Sequence, residues 1–247
     1  MTTSTADPGS LTSPRAAGLR RERLFYTGMA VAVALTVFAG FARTYYLRPY
    51  FTADPLRPLL HLHGLLFSSW VLLLLTQTAL VAGRRTDLHR RLGVAGAVLA
   101  TLMIAIGTAT AIIRAKEGFT PPGGPPPLVF LTIPLFDILL FASLVSTALY
   151  FRHRSDVHKR LMILATISML AAPIARLPLS ILQAGPPAFF GLADLFLIPC
   201  VLYDLITRGR VHRATAWGAI AIVASQPLRL MLGGTGAWLA FAGWLTQ

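Results

Sequence analysis

Acidic residues and cysteine are scarce in this sequence, and each shortage excludes a class of protein. Asp and Glu number 9 against 22 Lys and Arg, and only 13% of the 247 residues are charged. Soluble domains usually carry about 25% charged residues, so an ordinary soluble domain is excluded. Cys200 is the single cysteine and lies inside an apolar run, which excludes an intramolecular disulfide and a CxxC metal site.

Lysine is scarce as well, and the short motifs of several enzyme classes are missing. Neither of the two lysines, Lys116 and Lys159, lies inside an apolar run, so the chain lacks the buried Schiff-base lysine of a retinal protein. It contains no GxxxxGKS/T, HExxH or GxSxG motif, and nucleotide hydrolysis and the common hydrolase chemistries have no signature here. The net charge of +13 lies in short loops between apolar runs, where it indicates membrane topology and not nucleic-acid binding.

Long apolar runs dominate what is present, since 55% of the residues are hydrophobic and the mean hydropathy is +0.66. Seven runs have roughly the 20 residues that, at about 1.5 Å of helical rise each, cross a hydrocarbon core about 30 Å thick. These runs are residues 24–42, 62–83, 92–113, 128–151, 161–183, 188–206 and 214–232. We predict an all-α membrane protein with seven transmembrane helices in a lipid bilayer.

A repeat predicts how these helices are arranged. The loop sequences TDLHRRLG, SDVHKRLM and GRVHRATA open the third, fifth and seventh runs with His followed by Arg or Lys. The repeat predicts one leading helix followed by three helical hairpins. Residues 1–24 are rich in Ser, Thr, Pro, Gly and Arg and predict a disordered cytoplasmic tail, so that residues 25–247 form a single bundle.

The two ends of the bundle need separate interpretation. The run 24–42 is longer than the apolar core of a signal peptide and lacks a clear small-residue cleavage site, so it predicts an uncleaved first helix. The apolar segment 237–247 is too short to cross a membrane. It predicts a short interfacial piece anchored by Trp238 and Trp244.

Basic residues are concentrated in alternate loops. If the N-terminus is cytoplasmic, the tail and the loops 84–91, 152–160 and 207–213 hold 15 Lys and Arg, whereas the other loops hold 5. By the positive-inside rule, the N-terminus is cytoplasmic and the C-terminus outside. The preference for Arg over Lys, with much Ala, Gly and Pro, is typical of a bacterium with GC-rich DNA, which predicts a multi-pass protein of the inner membrane.

Histidines provide one set of candidate metal ligands. His89, His158 and His212 are predicted to lie at similar depth near the starts of three helices. Imidazole commonly ligates metals and haem iron, so these three and His63 are the candidates for a metal site. Each of the three also stands among arginines in an aqueous first turn, where it can contact lipid headgroups or loop carbonyls without any metal.

Charged residues inside the predicted spans form the main candidate binding site, in the outer half of the bilayer. Each charge facing lipid would cost at least about 2.5–3.5 kcal/mol, so these side chains should face one another or a wet cavity. The alternative is that two Asp and two Arg neutralise each other and lock the bundle without a ligand. The candidate cofactor-binding residues are His63, Gln77, Asp137, Arg176, Asp194, Gln226 and Arg229.

Two patterns refine this site. His63, Trp70 and Gln77 are seven residues apart and form one stripe on the second helix. Arg176 is expected to pair with Asp194, because the short Gly-Pro-Pro turn at 185–187 makes the fifth and sixth helices antiparallel neighbours and brings the two residues within about 3 Å of the same depth. Asp137 is the competing partner.

The segments HLHG, DLHRRLG, HKRLM, ARLP, FGLADLF and SQPLRL together resemble a family of bacterial seven-span integral membrane proteins that has no established activity. The resemblance covers nearly the whole chain after the tail; it implies the seven-span plan and no reaction. The sequence HRRLG also resembles small haem-b membrane proteins. Those proteins place paired histidines inside spans on different helices, whereas the outer half of this chain offers only His61 and His63, on one helix.

Three functions follow from these features. The first is a redox protein whose outer cavity binds haem b or an isoprenoid quinone, with His63, Arg176 and Arg229 at its polar groups. The second is a carrier or receptor for a small amphiphile or anion, in which Asp137 and Asp194 relay protons or balance the arginines. The third is a membrane assembly scaffold, in which side chains fill the cavity.

Overall fold

The computed structural model describes residues 14–121 and 124–247, and these residues form eleven α-helices and no β-strand. The helices are α1 Pro14–Phe41, α2 Pro58–Ala82, α3 Thr86–Lys116, α4 Pro127–Phe130, α5 Thr132–Tyr150, α6 Ser155–Ile167, α7 Ala171–Ile174, α8 Pro186–Asp194, α9 Leu197–Arg208, α10 Arg213–Gly233 and α11 Gly236–Leu245. A π-helical turn, Ala42–Tyr46, continues α1. The predicted all-α class is confirmed.

Seven segments are long and apolar enough to cross a membrane, as the apolar runs predict. We number them spans 1 to 7: Ala16–Tyr46, Pro58–Ala82, Thr86–Lys116, Pro127–Tyr150, Ser155–Ile174, Pro186–Arg208 and Arg213–Gly233. Turns at 83–85, 151–154 and 209–212 join them at one end of the bundle, which we call the basic end because of its arginines. The remaining connections lie at the opposite end.

The first helix is longer than predicted. It begins at Pro14, so residues 14–24, which were expected to be disordered, are helical; the rest of the predicted tail, residues 1–13, lies outside the described residues. Ala, Leu, Arg and Glu in this segment are good helix formers. Glu22 also forms an ion pair with Lys159 at the start of α6, at 2.7 Å, which ties the extension to the bundle.

The hairpins pack as the repeat predicts, with α2 on α3, α5 on α6, and α9 on α10. Helix α5 also contacts α3 and α10, while α1 packs on α2 and on α7. Span 5 is the most buried of the seven, so it forms the centre of the bundle. Large apolar side chains such as Leu72, Val94 and Met231 remain exposed on the outside of the bundle, where a bilayer would cover them.

The contact between α1 and α7 is unusually close. A Cβ atom added to Gly40 would overlap the backbone carbonyl of Pro173, so only glycine fits at this position. Where α10 crosses α6, a Cβ on Gly218 would lie 2.6 Å from the Leu164 side chain, so this glycine approaches a side chain and not backbone. Small residues allow two helix backbones to approach closely in membrane proteins.

The fifth span is shorter than the predicted run 161–183. Its helix is interrupted at 168–170, and regular structure ends at Ile174. Proline lacks a backbone N–H and disfavours helical backbone for the residue before it, so Pro178 prevents a helix from continuing through Leu177. Residues 175–179 are therefore irregular, and a short 3₁₀ turn, Ser180–Ala184, leads to α8.

The C-terminal helix α11 has ten residues and is shorter than the seven candidate spans; its position at an interface stays a prediction. Its two tryptophans differ in environment, however. Trp238 is buried and donates from Nε1 to the carbonyl of Leu128 before α5, at 2.8 Å, whereas Trp244 is exposed. Only Trp244 is therefore placed to anchor the segment at an interface, since Trp238 belongs to a small core with Leu131 and Ala242.

Candidate functional site

The structure separates the predicted outer cluster into three groups, of which the first is an ion pair between α5 and α10. Arg229 donates from Nη1 to Asp137 Oδ1 at 2.5 Å and from Nη2 to Ser225 Oγ at 2.7 Å. Arg229 is 1% exposed and also lies 5.0 Å from the centre of the Phe190 ring. The Asp137 carboxylate thus neutralises the guanidinium inside the protein, which is the locking role considered as the alternative to ligand binding.

The second group joins α8 to α10. Gln226 donates from Nε2 to Asp194 Oδ1 at 2.8 Å, and both residues are half-buried. Asp194 is the last residue of α8, and the helix is interrupted before α9 begins at Leu197. Among the described residues, no cation forms an ion pair with Asp194, so this carboxylate is held by a neutral amide alone.

The third group contains His63 and Arg176. Arg176 follows α7, donates from Nη1 to the carbonyl of Ala172 at 2.6 Å, and places its guanidinium 4.8 Å from the centre of the Phe41 ring. His63 lies one to two turns into α2, with its ring stacked on Phe67 at 4.0 Å. Both residues lie near the end of α1, since Arg176 contacts Phe41 and Gly64, the neighbour of His63, packs against Tyr45.

Each residue of this third group lacks one partner: His63 lacks a hydrogen-bond partner for a ring nitrogen, and Arg176 lacks a carboxylate, among the described residues. His63 Nδ1 is buried, and it has no hydrogen-bond partner among the described residues. The Arg176 guanidinium likewise has no carboxylate partner in that part of the chain. Buried polar atoms are nearly always paired, so an unpartnered one indicates a missing partner such as a ligand or a water molecule. We therefore take the His63–Arg176 site as the candidate functional site.

The expected pair between Arg176 and Asp194 is wrong. The prediction assumed that span 5 continues as a helix to residue 183, which would fix both depths relative to the turn at 185–187. The helix ends at Ile174 instead, and Arg176 is exposed beyond it. A guanidinium at the end of the span escapes most of the cost of burial in lipid, so it requires no carboxylate.

The predicted stripe on α2 faces the bundle along its whole length. Trp70 is buried and donates from Nε1 to Thr166 Oγ1 at 3.2 Å, and Gln77 donates from Nε2 to the carbonyl of His89 at 3.2 Å. Gln77 is 14 residues from His63, however, which is about 21 Å along a helix. Gln77 therefore belongs to the basic end and cannot contribute to a ligand site with His63.

His89, His158 and His212 lie at the basic end, as predicted. His158 and His212 have hydrogen-bond partners, whereas the buried His89 Nδ1 has none among the described residues. The rings of His89 and His158 are 6.4 Å apart, and His158 Nδ1 donates to the carbonyl of Ala148 at 2.8 Å. His212 contacts Asp156 through Nε2 at 3.1 Å, and its Nδ1 accepts from the Ala214 backbone as the N-cap of α10.

The structure does not bring the four candidate metal ligands together. His63 lies toward the opposite end from the other three, because α2 begins at that end with Pro58. Within residues 14–121 and 124–247, no group of three or more His, Cys, Asp or Glu side chains could hold a metal ion.

One buried network was missed by the reading of the sequence. Arg160 on α6 pairs with Asp204 on α9 through both Nε and Nη2, and the two residues are 4% and 0% exposed. Asp204 also accepts from Thr215 Oγ1 at 2.5 Å and from the His212 backbone at 3.1 Å. Asp204 stands as a single charge near the end of an apolar run, which was the available signal.

No family model, curated protein or solved structure matches this chain. The resemblance to a bacterial seven-span family therefore stays a prediction, and the architecture rests on the seven apolar helices themselves. The candidate site consists of the unpartnered His63 Nδ1 and the Arg176 guanidinium. Within the described residues, Gln77 Oε1 and His89 Nδ1 are also buried without a hydrogen-bond partner, but they lie at the basic end.

Proposed function

We propose that this chain is a bacterial inner-membrane protein that binds the head of an isoprenoid quinone at His63 and Arg176. The observation that carries the proposal is the buried, unpartnered Nδ1 of His63, at the same end of the bundle as a guanidinium that has no carboxylate partner among the described residues. The basic end is cytoplasmic in this proposal, because it holds most of the Lys and Arg. The site then lies in the outer half of the bilayer.

The chemistry of these residues suits a quinone head. A quinone carbonyl oxygen accepts hydrogen bonds, and either a neutral imidazole N–H or a guanidinium N–H can donate to it. The guanidinium favours any negative charge on the bound group, while imidazole is the side chain best suited to exchange a proton near neutral pH. Phe41 and Phe67 contact the two polar side chains and provide aromatic surfaces for a flat ring.

A quinone fits the site better than haem b does. Haem iron requires at least one axial ligand, and the site offers His63 alone, since His61 is exposed on another face of α2. A quinone requires no metal ligand. Arg176 lies just beyond the helical part of span 5, which supports a site near the membrane surface, from which an isoprenoid tail can extend into the bilayer.

The experiment is analysis of the protein purified in mild detergent from cells that produce both quinone and haem. Solvent extraction followed by chromatography should recover quinone in proportion to protein, and His63→Gln and Arg176→Gln should each lose most of it. The matched control is His61→Gln, two residues away on the same helix, which should retain the quinone. Protein that carries neither quinone nor a Soret band would refute the proposal. A Soret band that is lost in His63→Gln would show that the ligand is haem and not quinone.

Asp194 favours a second candidate function, a carrier for a small amphiphile or anion. Its carboxylate is held by Gln226 without a cation and stands at the break between α8 and α9, and ionisable residues at such positions mark transport pathways. Uptake into proteoliposomes should then fall in Asp194→Asn and remain in Asp54→Asn, a carboxylate in the loop 47–57. An unchanged rate in Asp194→Asn would exclude this role for Asp194.

A further inference from the structure

A groove at the basic end lies between the N-terminal part of α1, the first turns of α6 and the last turns of α9. Its volume is about 320 Å³, and Arg21, Glu22, Lys159, Arg160, Tyr203 and Arg208 form most of its wall. These residues belong to neither the His63–Arg176 site nor the Asp194 group, because they lie at the other end of the bundle.

The groove carries excess positive charge. Lys159 pairs with Glu22 at 2.7 Å, and Arg160 pairs with Asp204. In the described part of the chain, the side chains of Arg21 and Arg208 form no ion pair or hydrogen bond. The only carboxylate among the described residues of the wall, Glu22, is paired with Lys159. Two guanidinium groups on different helices thus line one groove without an ion-pair partner among the described residues, and guanidinium groups are well suited to bind a phosphate.

The position of the groove determines what kind of phosphate reaches it. Its walls come from the ends of spans 1, 5 and 6, where a bilayer places its headgroups. The Tyr203 ring is stacked on Phe25 at 4.1 Å, and Ile206 beside the groove is 71% exposed. The groove is therefore polar on one side and opens onto apolar surface on the other, as an amphiphilic molecule requires.

Room for this molecule is available beside α1. Gly18 lines the groove, and a Cβ at this position would meet no atom within 4 Å. A larger side chain at residue 18 would therefore occupy the groove without disturbing the packing of the helices.

We infer that the groove binds the phosphate of an anionic phospholipid headgroup, with Arg21 and Arg208 as its charged contacts and the acyl chains along the exposed face of α9. A free phosphate ion has the same charged chemistry, but it makes no use of the apolar surface at Ile206. A zwitterionic lipid carries a compensating cation, which the excess positive charge of the groove disfavours.

The test is thermal unfolding of delipidated full-length protein in detergent, titrated separately with phosphatidylglycerol, phosphatidylcholine and inorganic phosphate. Phosphatidylglycerol should raise the unfolding temperature at lower concentration than the other two. Arg21→Gln and Arg208→Gln should each raise the half-saturating concentration of phosphatidylglycerol about fivefold. Gly18→Leu should weaken binding as well, although it removes no charge.

Arg210→Gln is the matched control, because Arg210 is exposed at the same end and does not line the groove. It should leave the titration unchanged. Equal responses to phosphatidylglycerol and phosphatidylcholine, or equal losses in Arg210→Gln and Arg208→Gln, would overturn the proposal. A response to inorganic phosphate that matches the lipid and depends on both groove arginines would support a phosphate site but overturn the lipid as its source.

Discussion

Asp204 on α9 accepts hydrogen bonds from Arg160 on α6 and from Thr215 on α10, so one carboxylate joins three helices at the basic end. Arg160 and Asp204 are both almost completely buried. Removing one member of such a pair leaves an uncompensated charge, whereas removing both at once does not.

Arg160→Ala should therefore lower the free energy of unfolding by about 3–5 kcal/mol. The double variant Arg160→Met with Asp204→Leu should lose less than the single variant, because no buried charge remains. Unfolding in mixed micelles with increasing SDS provides the measurement. The comparison is Lys159→Met, which breaks a half-exposed pair with Glu22 and should cost about 1 kcal/mol or less. Equal losses of unfolding free energy in Arg160→Ala and Lys159→Met would show that the buried ion pair is no more important for stability than the half-exposed one.

Two double-mutant cycles should give different results in the opposite half of the bundle. Asp137 and Arg229 are in direct contact, so their alanine substitutions should show a coupling energy above about 0.5 kcal/mol. Arg176 and Asp194 have different partners, and their losses should add within about 0.5 kcal/mol. Strong coupling between Arg176 and Asp194 would restore the pairing first expected from the turn at 185–187.

The close contact of α1 with α7 should make Gly40 intolerant of substitution. Gly40→Ala places a methyl group against the backbone carbonyl of Pro173, and backbone cannot rotate away, so overpacking should cost about 1–3 kcal/mol. Gly28→Ala is the control on the same helix, since a Cβ there meets nothing within 4 Å. That variant should be neutral or slightly stabilising because Ala is the better helix former. The SDS fraction at the unfolding midpoint is the measurement. A lower midpoint in Gly40→Ala but not in Gly28→Ala would show that the close contact is responsible, and not a general sensitivity of α1 to substitution.

His212 should contribute to stability through its position at the start of α10. Its Nδ1 accepts from the Ala214 N–H, and losing an N-cap costs about 0.5–2 kcal/mol. His212→Ala should therefore unfold at a lower SDS fraction than the wild-type protein, and His212→Asn should recover most of the difference. His153→Ala, at an exposed position in the turn 151–154, should have no effect. If His212→Asn is as unstable as His212→Ala, the contact with Asp156 and not the cap is responsible.

The apolar runs were sufficient to predict the spans, because about 20 apolar residues have one stable arrangement in a bilayer. Arg176 shows where such reasoning fails. Its predicted depth assumed continuous helix, whereas the end of α7 at Ile174 depends on how the prolines and their neighbours pack. Asp204 shows a second limit, since a charge near the end of an apolar run has the same pattern whether it faces water or a buried arginine. The shared face of His63, Trp70 and Gln77 could be predicted because α2 is regular throughout.

The central position of span 5 has a consequence for how the chain enters a membrane. Span 5 is less apolar than span 4 and is the most buried of the seven, so much of its surface is suited to protein neighbours and not to lipid. A helix inserts according to its own apolarity, which makes span 5 a poor candidate for independent insertion. Span 4 is the most apolar of the seven and is joined to it by the turn 151–154, so the two should enter the bilayer together as a hairpin, with spans 6 and 7 completing the surroundings of span 5 afterwards.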